Sequence, residues 1–196
     1  MFIRKMIAAA ALLAGASAAQ AAVTVFSDNF DADIQGLNTT SFAQGWSVAN
    51  GTVDTIGTGF YELLPGHGNY IDLDGSTGQA GVFSNSVNLV GGVTYTMSYA
   101  ISGNMRGAGN DTVDVAFGSA GATHVIGQYD ALGTNTLSFT PTVSGSYGFS
   151  FYNHGGDNQG AILDQVTISA VPEPETYAML LAGLAAVGFA ARRRRK

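Results

Sequence analysis

The chain has 196 residues, no cysteine and a formal net charge of −6. The missing cysteines exclude disulfide staples, thiol catalysis and cysteine metal sites. Seven of the eight Lys and Arg stand at the two ends, which leaves Arg106 alone against twelve acids between residues 22 and 170. That stretch, near −11, repels nucleic acid and suits solubility or divalent-cation binding.

The first 21 residues read as a signal peptide. Arg4 and Lys5 precede an apolar run over 6–16, and Ala19-Gln20-Ala21 fits a small-x-small cleavage site. The mature chain is expected to begin at Ala22.

Residues 22–170 then form one domain's worth of chain, long enough to bury a core. Period-2 alternation dominates and no stretch has a helical period. The spacing predicts strands over 23–26, 46–48, 70–73, 81–83, 87–89, 93–102, 112–117, 124–129, 136–140, 146–152 and 161–169. The cleanest is 93–102, where Val93, Tyr95, Met97, Tyr99 and Ile101 share a face. Turn signals separate them, among them Asn50-Gly51, Asp74-Gly75, Gly91-Gly92 and Gly155-Gly156. Many short strands with Gly-rich turns predict an all-β, antiparallel jelly-roll β-sandwich, with an up-and-down barrel as the alternative.

The last segment, 171–196, has three parts in a fixed order. Pro172-Glu173-Pro174 comes first, an uncharged apolar run over 177–191 second, and five positive charges over 192–196 last. As a helix the run spans roughly 22 Å at ~1.5 Å per residue. Snorkelling arginines and local thinning can close the gap to a hydrocarbon core of roughly 30 Å. The basic block belongs on the cytoplasmic side, so the domain lies outside the membrane.

With its Val171-Pro172-Glu173-Pro174, apolar run and Arg-rich end, the segment resembles the PEP-CTERM sorting signal. The resemblance implies that the protein is anchored at the inner membrane before processing, and that an exosortase recognises the motif, cuts there and passes the protein toward the cell surface or extracellular matrix. Within the domain, Asn29-Phe30-Asp31, Gly92–Thr96 and Ile162–Val166 resemble the jelly-roll domains often paired with this signal. They are more distantly similar to galactose-binding-like and carbohydrate-binding modules. That implies a scaffold and points only weakly to a ligand.

Candidate chemistry is sparse. By alternation Ile162, Asp164, Val166 and Ile168 share a face, apolar except for Asp164. A carboxylate in a core needs a partner. Backbone N–H groups, Arg106, or a bound Ca²⁺ held with Asp28, Asn29 and Asp31 all qualify. The carbohydrate-binding resemblance implies a structural Ca²⁺ joining the first and last strands, and Ca²⁺ takes six to eight oxygens. Asp72 and Asp74 read as a solvent-side pair, as do Asp111 and Asp114. His67, His124 and His154 are too scattered for a zinc motif. Trp46, Tyr61, Tyr70, Tyr129 and Tyr152 are the aromatics available to stack on a sugar, though each fits a core position at least as well. No nucleophile elbow, P-loop or dinucleotide fingerprint occurs. The expected function is a non-catalytic surface or matrix role, structural or adhesive, with binding of extracellular polysaccharide. A secreted polysaccharide hydrolase is the alternative.

Overall fold

The computed structural model describes residues 22–171 together with residues 181, 183–185 and 192, which are helical. Residues 1–21, read above as a signal peptide, the motif at 172–174 and most of the apolar run lie outside the described residues. Among the described residues no helix is long and apolar enough to cross a membrane.

Eleven strands make two antiparallel sheets. They are β1 (Val23–Asp28), β2 (Ser47–Ala49), β3 (Asp54–Gly57), β4 (Asn69–Asp72), β5 (Val82–Leu89), β6 (Tyr95–Ser102), β7 (Asp111–Phe117), β8 (Ala120–Ile126), β9 (Gly133–Phe139), β10 (Gly145–Asn153) and β11 (Ile162–Ala170). One sheet runs β3-β4-β11-β6-β9, with β1 also paired to β11; the other runs β2-β5-β10-β7-β8. This is the expected jelly-roll sandwich. Among the described residues every strand falls between residues 23 and 170, and the main core cluster lies within the same stretch.

Alternation explains the core. Tyr95, Met97, Tyr99 and Ile101 on β6 meet Val113, Val115 and Phe117 on β7 and Phe149 and Phe151 on β10, all in one buried cluster. Trp46 is its centre. It stacks on Phe83 at 4.2 Å and meets Phe149 edge-on at 5.1 Å. Its indole N–H donates to Asp28 Oδ2 at 2.8 Å, and Phe30 N donates to Asp28 Oδ1 at 2.9 Å. A buried carboxylate thus ties the end of β1 to the aromatic core.

Three expectations need correction. The predicted strands 81–83 and 87–89 are one strand, β5, because Ser84, Asn85 and Ser86 pair with β10 without a break. β3 was not expected, since Asp54-Thr55-Ile56-Gly57 does not alternate, and every one of the four is buried.

The third correction moves a side chain. β11 has a bulge between Asp164 and Val166, with Gln165 in the left-handed region at φ 51°. The extra residue breaks the alternation. Leu163, Val166 and Ile168 face the inter-sheet core, whereas Ile162 joins a separate cluster with Ile56, Leu64 and Tyr70. Asp164 shares that outer face with Ile162, not the inner face with Val166 and Ile168. It is buried all the same, under the loop before β4.

Asp28→Ala leaves the Trp46 N–H and the Phe30 N–H without their acceptor. It is expected to cost about 1–3 kcal/mol. Denaturant unfolding of residues 22–170, followed by the fluorescence of Trp46, the single tryptophan, reads the loss directly. An unchanged midpoint contradicts the assignment.

Candidate functional site

The outer face of the first sheet carries a cleft of about 410 Å³, lined by Leu37, Asp54, Ile56, Tyr61, Asp72, Ser76, Arg106, Asn158 and Gln159. Its floor is β3 and β4, where Asp54 lies across from Asp72. Its walls are the loops before β2 and after β3, β4, β6 and β10.

Asp72 is fully buried. Its Oδ2 accepts from Arg106 Nη2 at 2.6 Å, and its Oδ1 accepts from Gly160 N at 2.9 Å and Asp74 N at 3.2 Å. Burial pushes its pKa up to about 7, against the pull of the Arg106 guanidinium and the two amides. Asp54 is equally engaged, taking Asn38 N and Ser76 N on Oδ1 and Ser76 Oγ on Oδ2. Asp74 takes Gly156 N and Asp157 N on Oδ2, while its buried Oδ1 has no partner. The loop after β10 reaches these acids only because it is rich in glycine. A Cβ at Gly160 would lie 2.3 Å from Asp74 N.

On the rim, Tyr61 is 61% exposed. Its backbone is left-handed at φ 50°, an uncommon conformation for an aromatic residue. Tyr70 holds the loop that carries it. The Tyr70 hydroxyl accepts from Leu63 N and Leu64 N and donates to Tyr61 O. Phe60 meets the Tyr61 ring edge-on at 4.9 Å. Arg106 lines the cleft with a side chain that is 25% exposed, while its Nε is buried without a partner.

The sequence placed Asp72 and Asp74 on the solvent side. Both point away from the inter-sheet core, yet loops bury them completely. Asp111 is buried too, where Asn104 and Asn153 bond it and burial pushes its pKa up. Asp114 alone of the four stays exposed, held below the usual range by Thr123 and His154. Arg106 is a carboxylate partner, but of Asp72 rather than Asp164.

Asp164 instead faces His67, with Nδ1 and Oδ2 3.3 Å apart, and burial pushes its pKa up against that contact. Asp31 lies near enough to Asp164 to raise it further. Asn29 Nδ2 donates to Asp31 Oδ2, and Asp31 Oδ1 accepts from Asn69 N. Asp28 does not join them. It pairs in register with Val166 and points inward to Trp46. Among the described residues no group of three or more His, Asp or Glu is placed to hold a metal ion. The histidines disperse: His67 to Asp164, His124 to Tyr99 and His154 to Asp114. Of the aromatics, Trp46 and Tyr70 are core, and Tyr61 is the one that lines the cleft.

Residues 170–195 match the PEP-CTERM protein-sorting motif. That motif marks the chain for export and exosortase processing. No curated protein matches the sequence. Among solved structures, the chain is similar to the CBM22-1 xylan-binding domain of Xyn10C from Paenibacillus barcinonensis. The TM-score is 0.54 and the identity 16%, over 80% of this chain and 99% of that one. The CBM22-1–CBM22-2 tandem of the same protein is similar at TM-score 0.50 and 20% identity, over 81% of this chain and 49% of that one. At these identities the likeness is one of fold.

The pH dependence of stability tests the cleft's electrostatics. A carboxyl with a folded pKa of about 7 and an ordinary value of 3.8 binds its proton more tightly when folded. Its contribution is complete below about 3.8 and is lost as pH rises through about 7. Unfolding free energy measured at pH 4.5–7.5 should therefore fall with pH, and Asp72→Asn should flatten that slope. An identical slope in the variant contradicts the assignment.

Proposed function

We propose that the exported domain is a non-catalytic glycan-binding module, displayed at the cell surface or in the extracellular matrix after exosortase processing. One observation carries this reading: an exposed tyrosine ring on a pinned loop stands beside a cleft of polar groups, among them an arginine held by a buried carboxyl. A sugar ring offers an apolar face to stack on an aromatic and hydroxyls at its edge. Tyr61 supplies the platform. Arg106, Ser76, Asn158 and Gln159 supply donors and acceptors around it. The buried Arg106–Asp72 pair fixes the guanidinium, so little ordering is left for ligand binding to supply. The likeness of fold to a xylan-binding domain fits the same reading.

A polysaccharide hydrolase finds less support in this geometry. Asp54 and Asp72 are cross-strand neighbours, and a carboxyl near pKa 7 is the kind a general acid needs. Yet every oxygen of both already accepts a hydrogen bond from a protein group. A proton donor has to reach the glycosidic oxygen, and these carboxylates are held as struts.

Affinity electrophoresis of residues 22–170 through gels containing xylan, mixed-linkage glucan, galactan or alginate tests the proposal. At least one should retard the domain. Tyr61→Ala should weaken that retardation tenfold or more, the scale of a lost stacking contact. No retardation by any glycan, or equal retardation of the variant, overturns it. Release of reducing sugar from the retarding glycan would instead establish the hydrolase.

The sorting step predicts a mass. Protein extracted from the cell surface should lack the apolar run and the basic block, as read by intact mass spectrometry. A surface species that still ends at Lys196 contradicts processing.

A further inference from the structure

The sandwich has two unlike ends. One end gathers the start of β1, the β5–β6 turn, the β9–β10 turn and the end of β11, and it is where the chain leaves the domain. The contacts make it one continuous surface. Gly92 N donates to Pro141 O, Gly91 N to Ser144 Oγ and Val171 N to Thr94 O, while Val23 pairs with Ala170. Residues 90–94, 140–145 and 170–171 contain no charge. Four valines stand out from this end: Val23, Val90, Val143 and Val171, 43–66% exposed.

All twelve acids lie away from it. Of those on strands the lowest, Asp28, is level with Val166 and buried against Trp46. At ~3.3 Å per residue it stands roughly 13 Å above Ala170. Asp164 on β11, and Asp114 across from Tyr152 of β10, stand roughly 20 Å up by the same rise. The screening length is about 10 Å at 0.1 M salt. An anionic surface held against the valine end therefore meets little of the domain's charge, and any other orientation brings more of it close.

The sequence decides what that surface is. Only residues 172–176 separate Val171 from the apolar run at 177–191. Five residues reach at most roughly 18 Å. While the tail is intact, the valine end cannot leave the neighbourhood of the bilayer.

We propose that this uncharged, valine-tipped end is a seat for the bilayer surface, which holds the anchored domain upright with its acids and its cleft turned outward until the tail is cut. The inference rests on the anchor reading of residues 177–191. A few valines bind a membrane weakly by themselves. The tether makes the contact intramolecular, and a weak contact then suffices. Once the tail is cut the contact is lost, which leaves the domain free to depart.

The absence of native cysteines permits a direct test. Residues 22–196 are reconstituted in vesicles of phosphatidylethanolamine and phosphatidylglycerol, with a bimane on Val143→Cys or, as the control, on Ala131→Cys. Ala131 is exposed in the loop between β8 and β9 at the opposite end. Flotation reports the anchor; quenching by headgroup-nitroxide lipid reports the seat. We expect the protein to float, with the label at 143 quenched at least twofold more than the label at 131. Flotation with equal quenching at both positions overturns the seat and leaves the anchor standing. Failure to float overturns the anchor and the seat together. A blue shift at 143 that grows with protein concentration without vesicles would assign the end to a second copy of the chain, and would also overturn the proposal.

Discussion

The cleft depends on one requirement: a carboxylate with no access to water must be given donors. Asp72 is fully buried on the outer face of β4. Arg106, Gly160 N and Asp74 N meet that requirement, and they come from three different segments of the chain. The loop after β6 is brought in by its arginine. The loop after β10 is brought in by a glycine amide that no side chain crowds. The turn after β4 closes through its own backbone. Truncating one member of such a buried pair commonly costs about 3–5 kcal/mol, because the other charge is stranded. The pairing is thus less a source of net stability than a way to fix the position of three loops.

The fold was largely legible in the sequence, and the site was not. Alternation over 93–102, 112–117 and 146–152 located β6, β7 and β10, because each has one face in the core. The neighbouring first and last strands were also anticipated. The same rule failed at Asp164, since a bulge adds one residue and inverts everything before it. Nothing in Asp164-Gln165-Val166 announces a left-handed glutamine. Asp72 and Asp74 were read correctly as facing away from the inter-sheet core. Their burial was missed, because it depends on loops folding back from 82 and 88 residues further along the chain. Period-2 reasoning sees the sheet and not what covers it. Tyr61 was one of five aromatics with equal standing in the sequence. The pinning hydroxyl of Tyr70 singles it out, and that is a tertiary contact.

The two ends of the domain differ in composition. Most of the acids, the lone arginine and the cleft lie toward the end far from the tail. Hydroxyls, glycines and valines occupy the end from which the tail leaves. A formal charge of −6 for the whole chain hides this division, because the seven terminal cations lie outside the domain. The edge pairing of β1 with β11 fits the same plan. It places the start of the exported domain and its exit side by side, with Val23 across from Ala170.

We propose the cleft between Tyr61 and Arg106 as the glycan site. Its most direct test is an NMR titration of ¹⁵N-labelled residues 22–170 with an oligosaccharide cut from a glycan that retards the domain. The expected shifts are confined to the amides of Tyr61, Ser76, Asn158 and Gln159 and to the Arg106 side-chain N–H, with the valine end silent. Shifts that cluster on the second sheet or on the β9–β10 turn, with the Arg106 signal unmoved, would contradict it.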